Sequence, residues 1–153
     1  MEPLIHLNYP IDKKILLEES KIAKIFSNPY GNDPRWPGQV LECWHISHYN
    51  SNYIRRVMQD LEVDGKPRFY WLDPNQDIPE HVDNNTTCSI NFILSEDPAP
   101  VTIGGKEYFY ESILLNTSIP HSVHNGPVER VLFKISIFDE SFEDLAKRIK
   151  YKK

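Results

Sequence analysis

The sequence lacks the long hydrophobic runs, the cysteine motifs and the basic surplus that mark several classes of protein. No stretch of the 153 residues approaches the roughly 18 uncharged apolar residues of a membrane-spanning helix. Cys43 and Cys88 are the only cysteines and form no CxxC motif, which argues against a disulfide framework and a zinc knuckle. Because 22 acidic residues outnumber 17 basic ones, we expect neither a nucleic-acid partner nor a membrane partner.

Several catalytic and targeting signatures are absent as well. The sequence contains no Walker A loop, GxGxxG, GxSxG or HExxH motif, so nucleotide-binding, hydrolase and zincin functions find no support. The first residues show neither the basic region nor the apolar core of a secretory signal, and we therefore expect a cytoplasmic location.

The composition is that of a folded domain. With 40 % hydrophobic and 12 % aromatic residues the chain is too apolar to be disordered. A chain of this length buries roughly 68 to 70 % of the surface that it exposes when unfolded. We expect a single domain over residues 1–153, with helical support and short strands over 1–66, a β core over 67–140 and a C-terminal helix over 141–153.

Helical periodicity is confined to three segments. Pro10–Phe26 carries apolar residues at helical spacing, and Ser51–Leu61 shows the i, i+3, i+4, i+7 pattern behind a serine cap. A short third helix opens at Ser141. Segments 28–37 and 73–80 are predicted as loops.

From Arg68 to Phe138 the pattern becomes strand-like. Gly104-Gly105 is typical of a two-residue hairpin turn. Many short strands with helices on one side favour a β-sandwich or a small barrel. The predicted strands of the whole chain are Leu4–Leu7, Cys43–Tyr49, Arg68–Leu72, Thr87–Leu94, Val101–Ile103, Glu107–Tyr110, Ser112–Leu115, Ser122–His124 and Arg130–Phe138.

The histidines offer the first chemical signal. In His81-Val82-Asp83 an imidazole and a carboxylate lie two residues apart, which places both on one face of an extended chain. Six histidines and ten aspartates in 153 residues produce about 0.4 such pairs by chance, so the motif needs a further ligand. His121 and His124 are the candidates downstream.

Strand parity chooses between these two histidines. If the turn at 125–127 closes a hairpin with an even number of loop residues, positions whose numbers sum to an odd value share a face. His121 then shares a face with Arg130, and His124 does not; a bulge in the turn reverses the choice. We therefore predict His121 as the third ligand and His124 as an exposed strand residue.

The strand after this turn has one apolar face and one half-polar face. An inward guanidinium requires an anion, so Arg130 predicts either a structural carboxylate partner or an anionic ligand. The apolar face holds Val131, Phe133, Ile135 and Ile137, and the other holds Arg130, Leu132, Lys134 and Ser136.

The sequence combines an HxD motif, a histidine about forty residues later in HSVHN, and an arginine nine positions after that histidine. This combination resembles the Fe(II)/2-oxoglutarate-dependent dioxygenases, in the branch of the prolyl and aspartyl/asparaginyl hydroxylases. The resemblance covers roughly residues 68–140. It implies a mainly β fold (α+β), the double-stranded β-helix or cupin-like jelly-roll, with flanking N-terminal helices and a short C-terminal helix.

The resemblance also implies the cofactors and the site. Fe(II) would be held by His81, Asp83 and His121, and Arg130 would bind the distal carboxylate of the co-substrate 2-oxoglutarate. A second co-substrate contact is commonly a Tyr or Asn on another strand, and Tyr70 and Asn91 are the candidates. Two imidazoles and one carboxylate fill one face of an octahedral ion, which leaves positions for a 2-oxo acid and dioxygen.

The implied activity is hydroxylation of an amino-acid side chain or a small molecule with release of succinate and CO2. The partner that the resemblance implies is therefore a small-molecule or peptide substrate. Two alternatives are a cupin-like metal enzyme that does not use 2-oxoglutarate and a non-catalytic β-barrel binding module. Arg130 separates the first alternative from the oxygenase, because a structural carboxylate partner would leave no site for 2-oxoglutarate. Metal binding separates the second.

Overall fold

The computed structural model describes residues 2–31 and 33–153. Its helices are α1 (Lys13–Lys24), α2 (Asn52–Leu61) and α3 (Phe142–Arg148). Its strands are β1 (Leu4–His6), β2 (Asn28–Gly31), β3 (Val40–His48), β4 (Lys66–Leu72), β5 (Asp77–His81), β6 (Cys88–Ile93), β7 (Val101–Ile103), β8 (Lys106–Tyr108), β9 (Ser112–Leu115), β10 (His121–His124) and β11 (Arg130–Ile137).

The strands form two antiparallel sheets. The large sheet has seven strands in the order β1-β9-β6-β11-β4-β3-β2, and the small sheet has four in the order β5-β10-β7-β8. Strands β1 to β3 come from the N-terminal part of the chain, so the large sheet also draws on residues 1–66. The mainly β class that was predicted from the sequence is confirmed.

Alternation along the central strands creates two separate cores. On β4, Phe69 and Trp71 pack with apolar residues of the three helices, whereas Tyr70 and Leu72 pack with residues of the small sheet. The predicted apolar face of β11 joins the helical core through Phe133, Ile135 and Ile137. The opposite face of the large sheet and the small sheet therefore enclose the second core.

The helices begin at polar caps. The Ser51 hydroxyl accepts a hydrogen bond from the backbone N–H of Ile54 at 3.1 Å, as predicted for α2. Helix α1 begins at Lys13 and not at Pro10, because the Asp12 carboxylate caps it through the Ile15 N–H. No helix in the described ranges is long and apolar enough to cross a membrane.

The loop predictions over 28–37 and 73–80 are partly wrong. Each segment contributes a strand, β2 and β5 respectively. Each strand carries a proline, Pro29 or Pro79, and each lies at the edge of its sheet. Proline cannot donate to a sheet ladder and is tolerated at an edge, where its presence hides the strand pattern from sequence reasoning.

The predicted hairpin between β10 and β11 is also wrong. Strand β10 pairs with β5 and β7 in the small sheet, while β11 pairs with β4 and β6 in the large sheet. The Asn125 side chain donates to the carbonyl oxygens of Leu72 and Asp73 and fixes the crossing chain against the end of β4. The β7–β8 hairpin is confirmed, with positive φ of 59° and 78° at Gly104 and Gly105.

Candidate metal centre

The structure brings His81, Asp83 and His121 together at the small sheet. His81 is the last residue of β5 and lies opposite His121 of β10 in the antiparallel register. Asp83 follows two residues later, and its backbone N–H donates to the Thr117 carbonyl at 3.0 Å. The side chains of His81, Asp83 and His121 are 6, 10 and 7 % exposed. These three polar groups are therefore almost fully removed from solvent.

Hydrogen bonds to the backbone orient both imidazoles. Nδ1 of His81 lies 2.7 Å from the Pro79 carbonyl oxygen, and Nδ1 of His121 lies 2.8 Å from the Ile119 carbonyl oxygen. A carbonyl oxygen only accepts hydrogen bonds, so each Nδ1 carries a proton and Nε2 is the ring nitrogen that faces Asp83. A histidine ligand with a supporting hydrogen bond likewise donates through one ring nitrogen and binds the metal through the other.

The two Nε2 atoms converge on the Asp83 carboxylate. Nε2 of His81 is 3.2 Å from Asp83 Oδ1, and Nε2 of His121 is 3.5 Å from the same oxygen. Adjacent ligands of an octahedral ion at about 2.1 Å from the metal are roughly 3 Å apart, so these separations fit a divalent transition metal. Within residues 2–31 and 33–153 no other group of three His, Cys, Asp or Glu side chains is arranged to hold an ion.

Asp83 is also paired with two cations. Lys134 Nζ lies 2.8 Å from Oδ2, and Arg35 Nη1 lies 3.2 Å from Oδ1. Burial by itself raises the pKa of Asp83, but Lys134 and the hydrogen bonds from His121 and His81 outweigh burial and hold this pKa well below its usual range. The carboxylate is therefore ionised at neutral pH, as a metal ligand must be.

Residues of the β2–β3 loop cover this carboxylate. Arg35 donates to the Val82 carbonyl at 2.7 Å, and its guanidinium forms two hydrogen bonds of 2.7 Å with the Asp33 carboxylate. The Trp36 ring centre lies 5.5 Å from that of His81. The loop is thereby attached to the candidate centre through Arg35 and Trp36.

Arg130 enters the cavity next to the histidines. It is 4 % exposed and lines a cavity together with His81 and His121. Its guanidinium donates to the Ala99 carbonyl and, at 3.2 Å, to the Tyr110 hydroxyl. Among the described residues no carboxylate lies within ion-pair distance of Arg130, so of the two anions predicted from the sequence the structural carboxylate is not found.

Tyr70 and Asn91, the two candidates for a further co-substrate contact, line the same cavity. The Tyr70 ring stacks on Trp44 with centres 5.4 Å apart, and Lys134 Nζ lies 5.4 Å from its centre. Asn91 Oδ1 accepts a hydrogen bond of 2.8 Å from Ser89. Both are 4 % exposed, and neither contacts Arg130 by a hydrogen bond.

His124 lies outside the centre. Its side chain is 68 % exposed, and Nδ1 is 3.1 Å from Asp77 Oδ1. The structure places His121, and not His124, beside His81 and Asp83, and the reason differs from the predicted hairpin parity. His121 and Arg130 approach the cavity from facing sheets, and they do not lie side by side on neighbouring strands.

Sequence reasoning missed three polar residues around the centre. They are Arg35, Tyr110 and Lys134. A signal existed for Lys134, because a lysine on the inward face of a buried strand requires a partner. Arg35 and Tyr110 lie in irregular segments, and no local pattern marks them.

The fold of this chain is similar to that of several solved protein structures. No protein-family model and no curated protein sequence matches this chain. A prolyl-4-hydroxylase from Pseudomonas putida aligns with a TM-score of 0.68 at 14 % identity over 88 % of this chain and 91 % of that one. The viral collagen prolyl hydroxylase of Paramecium bursaria Chlorella virus-1, in a complex with 2-oxoglutarate, gives 0.59 at 10 % identity over 87 % and 93 %.

A third solved structure agrees with these two. An oxidoreductase of the 2OG-Fe(II) oxygenase family from Burkholderia pseudomallei gives a TM-score of 0.54 at 12 % identity, over 82 % of this chain and 79 % of that one. At such identities the likeness concerns the fold, and one fold hosts many chemistries. The resemblance inferred from the sequence is confirmed at that level: the chain has the double-stranded β-helix fold seen in these oxygenases.

Proposed function

We propose that this protein is an Fe(II)- and 2-oxoglutarate-dependent oxygenase that hydroxylates an amino-acid side chain or a small molecule. The main support for this proposal is the buried Arg130 guanidinium. It has no carboxylate partner among the described residues, and it lines the cavity that also contains His81 and His121. A buried cation of this kind needs an anion, and 2-oxoglutarate carries a carboxylate at each end. The fold neighbours, one of them a 2-oxoglutarate complex, are consistent with this proposal.

The chain supplies each binding function from a different element. His81 and Asp83 at the end of β5 and His121 on β10 would hold the metal in one facial set. Arg130 at the start of β11 would bind the distal carboxylate, with the Tyr110 hydroxyl beside it. Bound iron supplies the redox chemistry for dioxygen, and the protein supplies binding, orientation and exclusion of water.

The overall reaction balances without another reductant. Dioxygen takes four electrons, two from the oxidative decarboxylation of 2-oxoglutarate and two from the C–H bond that becomes C–OH. One oxygen atom enters succinate, the other enters the hydroxyl group, and CO2 leaves. The protein's own task is to keep the co-substrate and the substrate close to the same ion.

The first alternative, a cupin-like enzyme without 2-oxoglutarate, requires another reason for Arg130 to be buried. Its two hydrogen-bond partners are neutral oxygen atoms of Ala99 and Tyr110, and neither compensates the charge. The second alternative, a silent binding module, gives no reason for two histidines that both direct Nε2 at one carboxylate. The oxygenase accounts for both observations.

Anaerobic calorimetry of 2-oxoglutarate binding tests the proposal. The Mn(II)-loaded protein should bind 2-oxoglutarate, and R130M should keep the metal but bind the acid about 30-fold or more weakly, as expected for loss of 2 to 5 kcal/mol. R56M removes an exposed arginine of α2 and serves as the control for net charge. An unchanged dissociation constant in R130M would move Arg130 to a structural role.

A further inference from the structure

A second cavity adjoins the one that contains Arg130. The two share Trp44, Tyr70 and Lys134 as lining residues. The second cavity has a volume of about 90 Å³, and Asp83 and Arg68 line it. It thus reaches the candidate metal ligand Asp83 from a wall that the first cavity does not include.

Arg68 on β4 is incompletely satisfied. Its Nε is buried and is the only such side-chain atom, among the described residues, without a hydrogen-bond partner. The guanidinium donates to the Ser136 hydroxyl and lies 5.8 Å from the centre of the Tyr70 ring. No carboxylate of the described residues lies within ion-pair distance of it. A buried polar atom left unpaired in a native protein requires an explanation, and a bound ligand is one.

The sheet register adds electrostatic repulsion to the burial of Arg68. Arg68 of β4 lies directly opposite Lys134 of β11, and like charges in that position destabilise a sheet. Lys134 is compensated by Asp83. Arg35, the third cation of the cavity, is compensated by Asp33. One positive charge therefore stays unbalanced, at Arg68, and a bound divalent metal would add to the excess.

We propose that this second cavity binds a carboxylate of the substrate at Arg68, so that the substrate class is small carboxylate-bearing molecules such as amino acids with a free carboxyl group. This inference rests on the proposed function. The planar guanidinium can pair with a carboxylate through two parallel hydrogen bonds, of which Nε–H provides one. The Trp44 and Tyr70 rings offer apolar walls for the rest of the molecule.

A carboxylate suits this cavity better than a phosphate group does. Asp33 and Asp83 also line the cavity, and their charges repel a dianion more strongly than a monoanion. A single uncompensated arginine matches one negative charge.

The test compares the twenty N-acetyl amino acids with their carboxamides. The protein is loaded with Zn(II), a redox-inert substitute for iron, and saturated with 2-oxoglutarate so that Arg130 is occupied. Binding is measured by ligand-observed NMR. At least one acid should bind, and its amide should bind at least about 10-fold more weakly, since the amide lacks the charge. Equal binding of acid and amide, or binding of no acid, overturns the inference.

Variants of Arg68 assign the effect to this residue. R68M should bind the acid about 10-fold or more weakly and should leave the affinities for Zn(II) and 2-oxoglutarate unchanged. R68K should bind the acid more tightly than R68M does, because it keeps the positive charge. R56M should bind the acid as the wild type does. Unchanged affinity for the acid in R68M or, if that variant does not fold, in R68Q contradicts the proposal. Failure of 2-oxoglutarate to bind contradicts the proposed function instead, and the acid and amide pairs then test Arg68 with Zn(II) alone.

Discussion

Lys134 Nζ lies 2.8 Å from Asp83 Oδ2, the carboxylate oxygen that does not face the two histidines. Both side chains are 10 % exposed, so the ion pair is buried. Burial opposes the charged form of Lys134, but Asp83 outweighs it and raises the pKa of this lysine above its ordinary value. The pair engages Oδ2 and not Oδ1, the oxygen that faces the two histidines and Arg35, and it brings opposite charges together.

Removal of one member of this pair should therefore be costly. We expect K134M to lower the free energy of unfolding of the metal-free protein by about 3 to 5 kcal/mol, because Asp83 then keeps a buried charge that Arg35 compensates only in part. Urea denaturation measures the change. The double variant D83A/K134M removes both charges and should lose less than the sum of the single variants; strict additivity would show that the two side chains do not interact energetically.

Metal binding should compensate for the missing lysine. In K134M a divalent ion at Asp83 supplies the positive charge that Lys134 provided, so we expect Mn(II) to raise the melting temperature of K134M more than that of the wild type. Differential scanning calorimetry with and without saturating Mn(II) compares the two shifts. Equal shifts would mean that the ion does not bind at this carboxylate.

The neighbouring histidines His121 and His124 provide a matched pair for the metal centre. Metal analysis after equilibrium dialysis should show loss of Mn(II) in H81A and H121A, because each removes one of the three proposed ligands. H124A should retain the ion, since His124 is exposed and contacts Asp77. Equal loss in H124A would contradict the assignment of the third ligand.

The part of the site that could be predicted from sequence is the part encoded by short spacings. His81 and Asp83 are two residues apart, and the alternation after Arg130 shows which side chains of β11 face inward. Period-2 patterns carry this information because the side chains of a strand alternate between its faces. His121, chosen from a wrong hairpin, lies beside His81 and Asp83 because its strand joins the small sheet, and parity does not reveal which sheet a strand joins.

The rest of the candidate site could not be predicted, because it depends on contacts between residues that are far apart in the sequence. Asp83 pairs with Arg35 across 48 positions and with Lys134 across 51 positions. Such pairs are created by the packing of one sheet on the other, and neither residue carries a local pattern that names its partner. For the same reason the unpaired Nε of Arg68 becomes visible only in three dimensions.

The Asp33–Arg35 pair should give the β2–β3 loop a pH-dependent stability. The hydrogen bonds from Arg35 lower the pKa of Asp33 to about 2 against the opposing effect of burial. A depressed carboxyl pKa stabilises the folded state above the unfolded pKa near 4, and the contribution disappears as the pH falls toward 2. Wild type should exceed D33N in unfolding free energy by at most about 2 kcal/mol at pH 5. Urea titrations at pH 5 and pH 2 test this; a constant difference would exclude the linkage.

Measuring 2-oxoglutarate turnover in the absence of a substrate distinguishes the oxygenase from the two alternative functions. An oxygenase supplied with Fe(II), 2-oxoglutarate, oxygen and ascorbate as reductant should release succinate and CO2 slowly, because decarboxylation of the co-substrate does not require the C–H bond of a substrate. R56M should match the wild type, since Arg56 lies on the exposed surface of α2. D83A should abolish the release, because it removes the only anionic side chain of the proposed His81, Asp83 and His121 site.

Binding has to be measured in the same samples, since substrate-free turnover is slow in absolute rate. Mn(II) and 2-oxoglutarate affinities from calorimetry establish that the site is filled, and succinate is then quantified by NMR over hours. A filled site that releases no succinate, alone or with the N-acetyl amino acids, would favour the binding module. A protein that binds the metal but not 2-oxoglutarate would favour the cupin-like enzyme, and Arg130 would then serve the packing of Ala99 and Tyr110 alone.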